Sequence, residues 1–405
     1  MNFRKISFPI LIMIEAAVLV VVILLAAISG ATHAASRDNM VASDTQSSPM
    51  KPETQQSGTQ KPEENTGTET IPEDYVEKEI TFSAEVEQKL ASMTVEQQVA
   101  QLFIVTPEQL TGVTTVTIAG DGTRQALNRY PVGGFVYSEK NFRTEAQAKA
   151  LFSNAQGFSQ ELTGLPLFLA IAEEGGETGS PVAGALQYPK VSSLAELEKK
   201  GDITGVYEAS STRAGYLSNL GMNLLLAPRT DITADEGADV QTVAEGIRED
   251  IRASRDNGMM TVLKYFPSKN AESKEWDALS QTDFIYVKEG KNANCIMVSN
   301  GACEALTQDV ANPCCMSPVV VAVLRQTMGY EGLLITDSLS DERIINNYSS
   351  KEAAVQCLTA GCDIIYCPQN FREAYEGVLE AVKNGNISSI RLHNAVGRVL
   401  SNKMK

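Results

Sequence analysis

Eight short apolar runs mark the chain between residues 101 and 366, alternating with longer amphipathic stretches. They fall at 101–105, 132–137, 165–171, 222–227, 259–265, 294–298, 333–336 and 362–366. Short apolar runs between turn signals suit strands buried on both faces, as parallel strands inside an α/β protein are. The intervals 144–163, 240–257, 317–328 and 371–384 predict helices, as does 93–100 ahead of the first run. Strand and helix in repeated alternation predict parallel pairing through right-handed crossovers, and hence a single (β/α)8 barrel of TIM type. A doubly wound open sheet is the alternative. The last segment, 387–404, is apolar at Ile387, Ile390, Val396, Val399 and Leu400, which predicts a closing helix outside the barrel. The folded domain is therefore expected over 79–405.

The pattern ahead of that domain is different. Arg4 and Lys5 precede a run from 8 to 28 that is apolar apart from Glu15, and small residues follow to Ala35. This predicts an export signal over 1–35, read as an uncleaved membrane anchor because the run is long enough to span a bilayer. Cleavage would instead give a secreted protein. Residues 36–78 are rich in Ser, Thr, Gln, Glu and Pro and nearly free of large apolar side chains. Such a segment buries too little surface to offset its ordering entropy and is expected to be a disordered tether.

Composition removes several function classes. With 34 Lys and Arg against 50 Asp and Glu the net charge is -16, a field that repels nucleic acid. The only two histidines, His33 and His393, are too few for a histidine metal site or a Ser-His-Asp triad. All seven cysteines lie between Cys295 and Cys367 and none forms a CxxC pair, so neither zinc nor any other cofactor is predicted. They read as small buried hydrophobes. In an oxidising compartment, bridges among Cys357, Cys362 and Cys367, or from Cys303 to Cys314 or Cys315, are the open alternatives.

The chemistry of a barrel sits just after its strands. Those positions hold Glu173 and Glu174 after the third run, Asp231 after the fourth, Lys264 and Tyr265 on the fifth, Ser299 and Asn300 after the sixth, and Asp337 after the seventh. Carboxylates and one lysine converging on a pocket suit a polar, neutral ligand such as a sugar. Lys264 is expected to hold Asp337 in its charged form, as a nucleophilic or charge-stabilising carboxylate requires.

Residues from about Met93 to Lys403 resemble the N-terminal (β/α)8 domain of glycoside hydrolase family 3, in particular its single-domain β-N-acetylhexosaminidases. The pieces occur in order: Val132-Gly-Gly-Phe135 with Asn141, Glu174-Gly-Gly176, Lys264-Tyr-Phe-Pro267, Met316-Ser-Pro318, Met328-Gly-Tyr-Glu-Gly332 and Leu334-Ile-Thr-Asp-Ser-Leu339. The resemblance implies that Asp337 is the nucleophile of a retaining hydrolysis through a covalent glycosyl-enzyme. Lys264, Tyr265, Glu174, Asp231 and Asn300 are the residues expected to contact the sugar.

The sequence also departs from the family pattern. Where these hexosaminidases carry Lys-His-Phe-Pro-Gly-His-Gly, this chain reads Lys264-Tyr-Phe-Pro-Ser-Lys-Asn270, and Glu275 and Asp277 stand where an acid/base Asp-x-His is expected. Either carboxyl is a candidate proton donor if a shielded pocket raises its pKa, with Trp276 between them as a candidate shield. Ala172 and Glu177 replace sugar-binding Asp and Arg, and the loop after the fourth strand has become acidic at 235–239. The expected function is an exported, membrane-tethered glycosidase acting on β-linked cell-wall or related glycans, peptidoglycan fragments among them. A member without turnover that binds glycans or proteins outside the cell is the alternative.

Overall fold

The computed structural model describes residues 77–231, 238–269, 271–307 and 311–405. The leader and nearly all of the tether expected from the sequence lie outside the described residues. No helix among the described residues is long and apolar enough to cross a membrane.

All eight apolar runs contain a strand: β1 Phe103–Val105, β2 Gly134–Val136, β3 Phe168–Ile171, β4 Leu224–Leu225, β5 Met260–Phe266, β6 Cys295–Val298, β7 Leu333–Thr336 and β8 Ile365–Tyr366. They pair in parallel in the order β7-β6-β5-β4-β3-β2-β1-β8, and the bridge between Ile335 and Ile364 joins the two ends. This is the TIM-type barrel, with the helices outside. Nearly every strand residue is buried, because one face packs into the barrel and the other against the helices. Gly133 and Gly134 are required where β2 starts. A Cβ on Gly133 would meet the Gln101 carbonyl oxygen at 2.2 Å, and one on Gly134 the Phe168 carbonyl oxygen at 2.5 Å.

The helix boundaries follow from local chemistry. Thr144 caps Glu145–Thr163 by accepting from the Gln147 amide, and Gly164 ends that helix at φ 67°. Asp239 caps Val240–Asp256, so the part of the acidic 235–239 loop that is described serves the helix start. One expectation needs correction. The 317–328 helix is two pieces, Pro318–Ala322 and a π-helical turn at Val323–Thr327. Arg325 on that turn donates to the carbonyl oxygens of Tyr330 and Gly332 and pairs with Asp363, which fixes the entry into β7.

The amino ends of the strands are closed by buried charge. Asp363, fully buried, meets Arg325 at 2.8 Å, Arg391 at 3.0 Å and Arg398 at 2.9 Å. Against burial, which favours the neutral acid, those three guanidinium groups hold the Asp363 carboxyl down at about 2. Glu77 pairs with Arg391 and Arg398 from the other side, and the Lys78 carbonyl oxygen accepts from Asn394. These two residues, assigned to the tether by composition, are therefore tied to the closing helix Ser389–Lys403. From the last position of that helix, Lys403 reaches in to donate to Gln101 Oε1 and the Gly133 carbonyl oxygen. All seven cysteines are free and buried; burial pushes six of their thiols up, and Cys315 is raised first by its hydrogen bond with Cys357 and then by burial. Cys315 and Cys357, a pairing not among those expected, have their sulfurs 3.7 Å apart.

Candidate active site

The carboxyl ends of β3, β4, β5, β6 and β7 bring the expected residues to one rim. Asp337 follows β7 directly, and its amide donates to the Val298 carbonyl oxygen on β6. Its side chain is 9% exposed. One carboxylate oxygen accepts from the Ser338 amide at 2.8 Å, and the other pairs with Lys269 at 3.1 Å.

The cation on Asp337 is thus Lys269, not Lys264 as the sequence suggested. Between Lys264 and Phe266 the pairing of β5 with β6 slips by one residue, so Tyr265 is an extra residue on its strand. A bulge re-aims the side chains beside it. Lys264, buried, donates to Glu174 instead. The chain then turns through Pro267 and Ser268, which carries Lys269 back over the Tyr265 ring at 4.1 Å and onto Asp337. Burial lowers the Lys269 ammonium's pKa, but the Asp337 charge and the Tyr265 hydroxyl outweigh it and the net direction is up.

Glu174 is presented by a loop that only glycine allows. Gly175 and Gly176 have φ of +85° and +73°, and a Cβ on Gly175 would meet the Ser192 carbonyl oxygen at 2.7 Å. Glu173 points the other way. Its oxygens accept from the amides of Val182 and Ala183 and from the Tyr216 hydroxyl, which anchors the start of Pro181–Leu186. Burial raises the Glu173 carboxyl despite those bonds. Glu174 also faces Arg229 at 3.6 Å, and Arg229 Nε donates to Asp231 at 2.8 Å. The bond to Asp231 raises the Arg229 pKa further. A cavity of about 270 Å³ opens beside this group, lined by Glu174, Gly175, Gly176, Arg229 and the buried pair Arg213 and Asp250.

Three expected contacts sit differently. Asn300 is buried and uses both ends of its amide on protein, donating to the Ser338 carbonyl oxygen and accepting from Cys315 Sγ. It braces the backbone next to Asp337. Glu275 and Asp277 are exposed, one just before and one in the first turn of Trp276–Gln281. The shielded pocket that would suit either as an acid is not formed there, because Trp276 turns inward and packs edge-on against Phe284. Lys269 and Arg229 are the rim residues that sequence reasoning passed over. Lys269 lay inside the altered motif, and Arg229 lay two residues before the carboxylate it binds.

Residues 94–402 match the model described as the glycosyl hydrolase family 3 N terminal domain. The chain belongs to this family. Beta-hexosaminidase A of Pseudoalteromonas piscicida is 23% identical over 338 residues, covering 69% of this chain and 54% of that protein. A beta-N-acetylglucosaminidase/beta-glucosidase of Cellulomonas fimi is 24% identical, covering 64% of this chain and 50% of that protein. The chain thus spans about half the length of these two relatives. Among solved structures, a glycoside hydrolase family 3 beta-N-acetylglucosaminidase from Paenibacillus sp. str. FPU-7 superposes with a TM-score of 0.70 at 26% identity, covering 76% of this chain and 62% of that one. The beta-N-acetylhexosaminidase of Beutenbergia cavernae, at 24% identity and TM-score 0.66, is covered over its whole length and shares the fold.

Proposed function

We propose that this family 3 chain is a retaining β-glycosidase of the hexosaminidase type, with Asp337 as nucleophile. The observation that carries the reading is the position of Asp337: a recessed carboxylate at the end of β7, oriented by the Ser338 amide, at the rim where Lys264, Glu174, Arg229 and Asp231 also meet. Attack of its oxygen on the anomeric carbon breaks the bond from that carbon to the glycosidic oxygen and leaves a glycosyl ester on Asp337. Water then hydrolyses the ester and restores the carboxylate. The hexosaminidases and N-acetylglucosaminidases among the relatives support a β-linked N-acetylhexosamine as the sugar transferred. Export, membrane tethering and a cell-wall glycan as substrate complete the proposal, and rest on the leader and tether read from the sequence.

Glu275 and Asp277 serve as proton donors only if their loop folds over the rim, so the leaving group decides the rate. Sugars bearing dinitrophenol, which departs without a proton, are turned over faster than alkyl glycosides by about 10²–10⁴-fold, the usual worth of general acid catalysis. The test is a 2-deoxy-2-fluoro or 5-fluoro glycosyl trap followed by intact mass. A single glycosyl adduct on Asp337, absent from Asp337→Ala, supports the reading. No adduct across a panel of sugars, from protein that still binds them, would leave a glycan-binding module in its place.

A further inference from the structure

We propose that Cys315 and Cys357 are a modification site, a dithiol pair that closes to a disulfide under oxidising conditions and in closing loosens the hold on Asp337. The consequence for catalysis rests on the reading of Asp337 as nucleophile. The first observation is that the two thiols touch. Cys315 lies on the 3₁₀ turn Cys314–Met316 and Cys357 on the helix Ser350–Ala360, both fully buried, with their sulfurs 3.7 Å apart. The Cys315 backbone is held from two sides. Its amide donates to the Ser299 carbonyl oxygen just after β6, and its carbonyl oxygen accepts from Cys362 Sγ at 3.5 Å. Two cysteines kept in contact by the fold need only a small side-chain movement to reach bonding distance.

The second observation is what the thiol hydrogens do while the pair is reduced. Cys357 Sγ donates to Cys315 Sγ, which donates to Asn300 Oδ1 at 3.2 Å. Asn300 Nδ2 donates to the Ser338 carbonyl oxygen at 2.7 Å, and the Ser338 amide donates to Asp337 at 2.8 Å. A line of hydrogen bonds thus runs from the helix to the carboxylate. Forming the disulfide removes both thiol hydrogens and draws the Cys315 sulfur away from Asn300. The buried Asn300 oxygen then loses its donor, a state that favours turning the amide and releasing Ser338. Asp337 keeps its place in the chain but loses its fixed orientation, on which the attack depends. The oxidant is a low-molecular-weight disulfide. The thiolate of one cysteine attacks it and expels a thiolate, leaving a mixed disulfide, and the thiolate of the second cysteine displaces the other half. Two electrons pass from the cysteines to the oxidant, and the two cysteine protons end on the two small thiols released. Burial keeps both cysteines protonated, so the exchange is slow in either direction.

The experiment equilibrates the full chain in detergent with glutathione and its disulfide at a series of ratios until the intact mass stops changing. Remaining thiols are alkylated, the linked peptides are mapped by mass, and kcat/KM is measured with a dinitrophenyl glycoside. A Cys315–Cys357 link is expected at the oxidising end, with kcat/KM lowered about tenfold and recovered by dithiothreitol. Cys357→Ala, which leaves the Cys315 hydrogen on Asn300, should abolish the response to oxidation. In reducing buffer Cys315→Ala should be slowed about as much as the oxidised wild type, while Cys315→Ser, which keeps a donor for Asn300, should recover most of the rate. Thermal melting confirms that each variant is folded. No link at the most oxidising ratio, a link only between other cysteines, a link that leaves kcat/KM unchanged, or Cys315→Ser no faster than Cys315→Ala would each overturn the proposal. The fluoro-sugar adduct on Asp337 is read on the reduced protein. Labelling there without a redox effect removes only this inference, whereas no labelling removes the reading beneath it and leaves the bond itself to be decided by mass.

Discussion

The two ends of the barrel use the same chemistry to opposite effect. At the amino ends of the strands, Asp363 and Glu77 are clamped by Arg325, Arg391 and Arg398, with every side chain at most 10% exposed. At the carboxyl ends, Asp337 meets Lys269, and Glu174 and Asp231 meet Arg229, with those two cations nearly half exposed and only Lys264, on Glu174, buried. A buried pair that loses one member strands the other in a low dielectric, whereas an exposed one hands its charge to water. The amino end therefore acts as a lock on the fold. The carboxyl end can exchange its partners for a ligand.

The sharpest way to separate the two ends is to remove one carboxylate from each. Asp337→Ala should abolish turnover of a dinitrophenyl glycoside, by a factor of about 10³ or more, in protein whose urea midpoint barely moves. Asp363→Asn should do the reverse. It should cost roughly 3–5 kcal/mol in urea unfolding, while the rate per folded molecule stays as it was. If Asp337→Ala unfolded the chain, or Asp363→Asn left stability unchanged, the contrast between lock and site would be wrong.

Acid titration sharpens the same contrast. The folded-state pKa of Asp363 is lowered from 3.8 to about 2, so the unfolded chain binds the proton first. Its stabilisation is therefore full above about pH 4 and is lost as pH falls towards 2. Stability curves of wild type and Asp363→Asn should converge over that window. Parallel curves would show that the guanidinium cluster is not what holds the charge.

Smaller effects are expected at the rim surface. Lys269→Met should change stability by less than about 1 kcal/mol in urea unfolding, since the lysine is 44% exposed. Glu275→Gln and Asp277→Asn should leave kcat/KM for the dinitrophenyl glycoside within about twofold, because that ratio reports the first chemical step. A fall in kcat/KM confined to alkyl glycosides would mark whichever of the two donates the proton. A fall in kcat/KM with both substrates would point to a different role.

Most of the barrel was legible because its signal is local and repeated. Each apolar run needs burial on both faces, and the alternation with helical stretches leaves few topologies to choose from. Asp337 was legible because it ends a buried strand inside a short motif of the family. That Asn300 also holds the Ser338 carbonyl and Cys315 was not legible, because an amide after a strand can reach the cavity or the neighbouring loop. The helix over 317–328 was misread because Arg325 bonds to backbone that lies later in the chain, which apolar spacing does not register.

By itself the sequence determined the number and order of the strands, the end of the barrel at which the polar residues gather, and the family, because these follow from periodicity and from short motifs. Which lysine holds which carboxylate was decided only in three dimensions. A one-residue bulge at Tyr265 and the turn after it send Lys264 to Glu174 and Lys269 to Asp337. Charge pairing depends on direction and on a few ångströms, and neither is carried by the spacing of residues along a chain.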